Sequence, residues 1–354
     1  MPPTAALAER PLTGAASPDA TEQLIATLET LVQSGEALTA IRQATARNRA
    51  APDGRLERKL AEWRNRAFST LPPATPRLDW PPAYPDPFPG FIGVPEIRAD
   101  ALTTEMLGGA ILHHGSLLVR GLLSADIAAT LRTNVDRALA ARDEKLAGAA
   151  EETTLPWYAE VDAGKIADSR PWTWDCGAIW TADSPRNLST LIDLFETTGI
   201  VDIIAGYFGE RPALSIGKST LRRVPTTAGT DWHQDGAFLG EHVRSVNLWL
   251  ALSPCGQDAA GLDVVGRRLP YVMQCHTHGA VFDWACGPGI VEILAQGGAP
   301  VVSPLFEAGD ALLFDHLMLH RTGVRPGMTQ ERWALENWFF APSSYPMDQE
   351  PLVI

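Results

Sequence analysis

Hydrophobic residues recur at helical spacing near the start of the chain. The first apolar stripe contains Leu24, Leu28, Leu31, Leu38 and Ile41. It runs to about residue 48 and follows Ser17-Pro18, a typical helix start. After a turn signal at 51–54, a second stripe through Leu56, Leu60 and Trp63 predicts another helix. We expect a disordered tail over 1–16 and then a helical hairpin, both within residues 1–71. The hairpin either caps the main domain, which we favour, or serves docking or dimerisation.

The next segment, residues 72–95, is dominated by proline. It holds nine prolines, which exclude a helix and favour an extended chain. We interpret it as a linker that lies over the surface.

Short strand patterns separated by glycine and proline fill the second half of the chain. They cover 213–224, 244–252, 262–265, 310–320 and 332–340. The clearest one alternates, with Val246 and Leu248 on one face and Asn247 and Trp249 on the other. Upstream, the pattern predicts a short helix from Thr103, a buried strand at Ser116–Arg120 and a long helix capped by Ser124. This order favours a β-sandwich or barrel with flanking helices over residues 96–342, followed by a tail over 343–354.

Charge and composition narrow the class of protein. The 354 residues include 42 acidic and 29 basic side chains, a formal net charge of −13. An acidic chain without a visible basic face argues against nucleic acid and anionic membranes as partners. The start of the sequence has no signal-peptide pattern, and no apolar stretch is long enough for a bilayer. Four cysteines are too few for a disulfide scaffold, so we expect a cytoplasmic protein whose ligand is a small molecule.

Two histidines and a carboxylate form the strongest chemical signal. His233 and Asp235 stand two apart, so on an extended strand they face the same way. His320 ends the predicted strand at 311–319. Two histidines with one carboxylate occupy one face of an octahedral Fe(II) and leave three positions open. Asp231 also stands two residues from His233, and His316 stands four before His320, so each competes for a ligand role.

An arginine and a threonine follow His320 at a useful spacing. Arg332 begins the next predicted strand, and its guanidinium suits the distal carboxylate of 2-oxoglutarate. Thr322 adds a hydroxyl to the same carboxylate. The combined pattern predicts a site for Fe(II), 2-oxoglutarate and O2.

These motifs resemble the phytanoyl-CoA dioxygenase-like family of Fe(II)/2-oxoglutarate oxygenases. The resemblance covers about residues 95–342 and rests on HQD at 233–235, NLWLALS at 247–253, GLDVV at 261–265 and GDALLFDHLMLHRTG at 309–323. It selects Asp235 over Asp231 and places Trp249 beside the co-substrate. It implies a double-stranded β-helix of the jelly-roll or cupin type within an α+β fold. The implied activity is hydroxylation of a small or medium organic substrate, with release of succinate and CO2. Related halogenases lack the carboxylate ligand, so Asp235 favours hydroxylation or another oxidation over halogenation. The resemblance does not extend to residues 1–90.

A tryptophan-rich segment precedes the predicted barrel, where such oxygenases place a substrate-covering element. We predict that Trp172, Trp174 and Trp180 line the substrate pocket or, equally, pack the helices onto the sheet. Arg170 or Arg186 would pair with an anionic substrate group. Further basic candidates are Lys218, Arg222 and Arg223, of which alternate members must face opposite sides.

Other interpretations of these residues remain open. Cys275, His276, His278 and Cys286 suggest a zinc cluster, but their spacing matches no usual closed site. The triad also suits a cupin-like hydrolase or isomerase that does not use 2-oxoglutarate, although such chemistry needs neither Arg332 nor Thr322. A non-catalytic binding module built on a vestigial barrel is the third hypothesis.

Overall fold

The structure, a computed structural model, describes residues 18–73, 75, 79–227 and 229–354. The predicted tail over 1–16 lies outside the described residues. The helices are α1 (Pro18–Gln33), α2 (Ala37–Ala50), α3 (Gly54–Phe68), α4 (Thr104–His114), α5 (Ala125–Leu146), α6 (Glu151–Thr154), α7 (Arg170–Asp175), α8 (Pro185–Thr197), α9 (Ile200–Phe208), α10 (Gly236–Leu239) and α11 (Pro288–Gln296). The strands are β1 (Glu96–Arg98), β2 (Ser116–Arg120), β3 (Ala178–Trp180), β4 (Ala213–Ser215), β5 (Thr220–Val224), β6 (Ser245–Ala251), β7 (Gly261–Val265), β8 (Val301–Val302), β9 (Ala311–Phe314), β10 (His320–Gly323), β11 (Arg332–Phe340) and β12 (Pro351–Val353).

The N-terminal region is helical, as predicted, but its first stripe is divided between two helices. The chain turns at Gly35, whose φ of 88° is a left-handed conformation that favours glycine. The helices α1, α2 and α3 then share one apolar cluster around Leu28, Leu60 and Trp63. Helix α3 packs on the rest of the protein, where the Arg64 guanidinium donates to the Val353 carbonyl at 2.8 Å. These contacts favour the capping interpretation of the region.

The proline-rich segment is extended in its described residues and packs closely on the helical layer. The ring of Trp80 lies 5.1 Å from that of Tyr207 in α9. Tyr84 covers Gly108 so closely that a Cβ there would come within 2.5 Å of the ring. The segment therefore adheres to the main domain and does not act as a free linker.

Two sheets form the centre of the described structure. The larger one runs β1-β2-β9-β6-β11-β4-β12, and β5 joins it by pairing with both β11 and β3. The smaller one runs β10-β7-β8. Only the β1–β2 pair is parallel among these described pairings. The two sheets with their flanking helices are the double-stranded β-helix of the predicted α+β class.

Alternation along the strands separates two cores. In β6, Val246, Leu248 and Leu250 pack outward against the helices. Trp249 and Ala251 point inward, toward the smaller sheet, where residues of β7 and β9 join them. The inner face also carries polar side chains, since Asn247 alternates with the outward residues of β6.

Three strand predictions need correction. The 213–224 segment is divided into β4 and β5 by a turn, and the 310–320 segment into β9 and β10. His316 therefore lies in a turn and not on a strand with His320. The residues predicted as a C-terminal tail contain β12, which pairs antiparallel with β4. Among the described residues, no helix is long and apolar enough to cross a membrane.

Candidate metal centre and co-substrate site

The three predicted metal ligands converge between the two sheets. One ligand atom from each of His233, Asp235 and His320 lies within 4.8 Å of the others. No other group of three or more such side chains suited to a metal occurs in the described part of the chain. The Cys275–Cys286 segment therefore forms no such cluster, and the four cysteines are free thiols.

Backbone hydrogen bonds orient both imidazoles. His233 Nδ1 lies 2.8 Å from the Asp231 carbonyl, and His320 Nδ1 lies 3.0 Å from the Met318 carbonyl. Since a carbonyl only accepts, each Nδ1 carries the proton and each Nε2 presents a lone pair. Burial and the neighbouring His320 hold the pKa of His233 well below its usual range, so this ring is neutral and ready to bind a cation.

Asp235 completes the ligand set from a helical turn, and not from the extended strand that was predicted to carry both His233 and Asp235. Its backbone is helical, with φ −63° and ψ −20°, and it precedes α10. Its Oδ2 atom lies 3.7 Å from His320 Nε2 and has no hydrogen-bond partner in the described structure. A buried carboxylate oxygen without a donor is costly unless a cation binds it. The donor set of two imidazoles and one carboxylate fits Fe(II).

The competing ligands are held elsewhere. The Asp231 carboxylate accepts a hydrogen bond from the Val281 backbone at 2.6 Å. His316 lies between the Ser245 hydroxyl at 2.9 Å and the Glu241 carbonyl at 3.1 Å. Neither side chain joins the triad.

Arg332 is a buried cation with a half-satisfied guanidinium. Its Nη1 donates to the carbonyls of Ala260 and Gly261 at 3.0 and 2.9 Å. Its Nε and Nη2 are buried without partners in the described structure. Burial lowers the pKa of Arg332 to about 10, which still leaves it charged at neutral pH. Two free, roughly parallel N–H donors are the fork that a carboxylate accepts.

Strand register places Thr322 and Trp249 in the same region. His320 and Thr322 share a face of β10, and Thr322 is paired with Leu262, next to the Gly261 that accepts from Arg332. Thr322 is 8% exposed. The Arg332 guanidinium carbon lies 5.4 Å from the centre of the Trp249 ring. The structure therefore brings together all six residues predicted for the metal and the co-substrate.

The predicted substrate residues separate into two groups. Trp180 and Trp174 pack in the helical core, and the Arg170 guanidinium carbon lies 4.5 Å from the Trp180 ring, so these two tryptophans follow the packing alternative. The indole nitrogens of Trp174 and Trp180 are buried without partners in the described structure. Trp172, by contrast, is 57% exposed.

The two arginines of that group have structural partners. Arg170 forms a buried ion pair with Asp183, with Nε 2.8 Å from Oδ2. Arg186 pairs with Glu57 of α3 at 2.7 Å. Their positions do not support pairing with a substrate anion, because each guanidinium already neutralises a buried carboxylate. Arg223 also faces away, toward Glu331 on the outer surface.

Several residues at the site lacked a local sequence signal. The Trp284 ring meets His233 edge to face at 5.1 Å, and Phe238 lies 6.0 Å from Trp284. The Gln234 side chain donates to the carbonyls of Tyr271 and Leu317 and accepts from the Met273 amide. This glutamine ties the loop around 271–273 to the segment that bears His233 and Asp235. Its position inside the HQD triplet was the one available signal.

Comparison with known families agrees with this geometry. The family model for phytanoyl-CoA dioxygenase (PhyH) matches residues 111–325. The chain belongs to the phytanoyl-CoA dioxygenase family. It is an Fe(II)- and 2-oxoglutarate-dependent oxygenase, and hence an oxidoreductase that uses O2.

Solved structures extend the comparison of the fold. The family member is similar to EctD from S. alaskensis, solved with 2-oxoglutarate and 5-hydroxyectoine, at 16% identity and a TM-score of 0.50. That match covers 74% of this chain and 87% of EctD. SnoK, a carbocyclase from nogalamycin biosynthesis, matches at 16% identity and a TM-score of 0.44, over 70% of this chain and 87% of SnoK. No curated protein matches the chain significantly.

Proposed function

We propose that this oxygenase hydroxylates a small or medium organic substrate between the two sheets. In this proposal His233, Asp235 and His320 hold Fe(II), and Arg332 with Thr322 holds the distal carboxylate of 2-oxoglutarate. The observation that carries it is the free Nε–Nη2 edge of Arg332, buried beside the β10 strand that bears His320 and Thr322.

The residues of the chain have distinct tasks in the reaction. The Asp231 and Met318 carbonyls keep both Nε2 lone pairs directed at the metal position. Bound iron supplies O2 activation coupled to oxidative decarboxylation of the co-substrate. Trp284 and Phe238 cover the His233 side of the metal position and shield it from competing reductants.

The carboxylate ligand favours hydroxylation as the outcome. Asp235 is fixed by the start of α10, where the amides of Phe238 and Leu239 donate to its carbonyl. Because Asp235 occupies its ligand position, no such position is left vacant for a halide. The proposal therefore assigns hydroxylation, with succinate and CO2 as co-products.

Anaerobic titration of the protein with Fe(II) and then 2-oxoglutarate tests this function. We expect one metal per chain and a weak visible charge-transfer band that appears only after 2-oxoglutarate is added. On admission of O2, succinate should form. Metal binding without the band would favour a cupin-like enzyme that does not use 2-oxoglutarate, and absence of metal binding would favour a binding module.

A further inference from the structure

Three charged side chains line the inner wall of the barrel, and we call them the charged cluster: Lys218, Arg222 and Glu336. Arg222 on β5 donates from Nη1 to Glu336 Oε2 on β11 at 3.0 Å, and both side chains are 18% exposed. Glu336 lies opposite Trp249 in the register of β11 and β6. The cluster is therefore on the same inner face as the residue predicted to contact the co-substrate.

Lys218 contacts the aromatic rings that lie against His233, but its ammonium lacks a polar partner. Its Nζ lies 3.9 Å from the centre of the Phe238 ring, and Phe238 contacts Trp284 above His233. It interacts electrostatically with Asp235 and Glu336. Among the described residues, its ammonium makes no hydrogen bond or ion pair, and burial lowers the pKa of Lys218. The protein's own carboxylates, Asp235, Glu336 and Asp348, act on Lys218 only through longer-range electrostatics, so its ammonium keeps all its donors for an incoming anion.

The hydrogen-bonding capacity of the cluster leads to the same conclusion. The cluster has two cations and one carboxylate, and Glu336 is already paired with Arg222. Asp235 belongs to the metal set and balances part of the charge of the iron. The Nε of Arg222 is buried and has no partner in the described structure, so a further acceptor is missing. An anionic group from outside the chain would pair directly with the Lys218 ammonium and accept from Arg222 Nε.

Aromatic rings lie beside the cluster on the metal side. Lys218 contacts Phe238, and Phe238 lies 6.0 Å from Trp284. These surfaces suit an apolar or aromatic body. Because Arg332 lies at the Gly261 end of the site and has its own free edge, the co-substrate carboxylate does not need Lys218.

We propose that the substrate is a small organic acid whose carboxylate binds Lys218 with help from Arg222, while Glu336 holds Arg222 in place. This inference rests on the proposed function and names the substrate class of that site. It assigns Lys218 as the specificity-determining residue for the anionic group.

Matched pairs of carboxylate and carboxamide test the inference without knowledge of the natural substrate. The probes are radiolabelled phenylacetate and phenylacetamide, indole-3-acetate and indole-3-acetamide, and hexanoate and hexanamide. Binding is measured by anaerobic equilibrium dialysis with Fe(II) and saturating 2-oxoglutarate. Saturating co-substrate keeps the probes away from Arg332. Lys218→Met removes the charge, Lys218→Arg keeps it, and the exposed Lys165→Met is the matched control.

We expect the wild type to bind the carboxylate of at least one pair about tenfold more tightly than its amide. Lys218→Met should abolish this preference, while Lys218→Arg and Lys165→Met should keep it. Absence of any carboxylate preference across the panel overturns the inference. A Lys218→Met protein that keeps the preference but loses affinity for 2-oxoglutarate also overturns it and assigns Lys218 to the co-substrate. The charge-transfer band, recorded in parallel, reports separately on the proposed function.

Discussion

His233 and His320 exchange backbone hydrogen bonds as a directly opposed antiparallel pair. The His233 amide donates to the His320 carbonyl at 2.9 Å, and the His320 amide donates back at 3.0 Å. Opposed residues of such a pair project to the same face, so the two rings lie 4.4 Å apart between centroids. The main chain thus fixes the spacing of the two imidazoles before a metal binds.

This pairing predicts that substitutions of His320 and His316 differ sharply in their effect on iron binding. His320→Ala removes a lone pair from the metal position, so stoichiometric Fe(II) binding and the charge-transfer band should be lost. His316→Ala is the matched control, because His316 contacts Ser245 and Glu241 outside the triad. Anaerobic metal titration of both variants is the measurement. Loss of iron in His316→Ala with retention in His320→Ala would reverse the assignment.

Arg332 provides the second prediction. Arg332→Ala should raise the KM for 2-oxoglutarate about 100-fold, because two charge-assisted hydrogen bonds are lost. Arg332→Lys should recover only part of the affinity, since an ammonium lacks the planar fork. Succinate release against 2-oxoglutarate concentration measures the effect. Arg325→Ala, which removes a partly exposed ion pair to Asp263, is the control and should leave this KM unchanged. An equal KM in wild type and Arg332→Ala would contradict the assigned role.

Local sequence patterns predicted the features that depend on spacing along one strand. The alternation in β6 separated Trp249 from Leu248 correctly. HQD and the following H-x-T predicted the metal triad because each motif occupies one short segment. The break between β9 and β10 was missed, since the apolar run from 311 to 319 continues through a buried turn in which Leu317 and Met318 are 7% and 2% exposed.

Ion pairs between distant segments were beyond sequence reasoning. Arg170 was a reasonable candidate for a substrate anion until Asp183 was found beside it. Lys218 and Arg222 gained importance only when β11 placed Glu336 next to Arg222. Such partners are set by sheet register and helix docking, which local periodicity does not encode.

Loss of the Arg170–Asp183 ion pair should destabilise the protein by an amount that depends on pH. Asp183 is fully buried, and burial raises its pKa to about 6 even beside Arg170. A folded-state pKa above the unfolded value means that stability from this group is present at low pH and is lost as pH rises through the folded pKa. Removing Arg170 raises the pKa of Asp183 further, so the stability lost through the substitution is larger at high pH than at low pH.

We therefore expect Arg170→Met to destabilise the protein by about 3–5 kcal/mol at pH 8 and by clearly less at pH 5. Urea unfolding at the two pH values is the measurement. Arg142→Met, whose partner Asp143 is 65% exposed, is the control and should show little change at either pH. A destabilisation that is the same at pH 5 and pH 8 would show that Asp183 is not the group responsible.

We expect the loop around residues 271–273 to depend on the side-chain amide of Gln234. Its side chain satisfies the Tyr271 and Leu317 carbonyls and the Met273 amide, with distances of 3.0, 2.6 and 2.7 Å. Gln234→Ala leaves these backbone groups unpaired, at a cost of about 1–3 kcal/mol for each buried group. The melting temperature should fall, and chymotrypsin should cut faster after Tyr271 and Phe282, which are 57% and 44% exposed. Gln296→Ala, on an exposed helix end, is the control. Unchanged cleavage in Gln234→Ala would mean that the loop is held mainly by its other contacts, such as the Asp231–Val281 hydrogen bond.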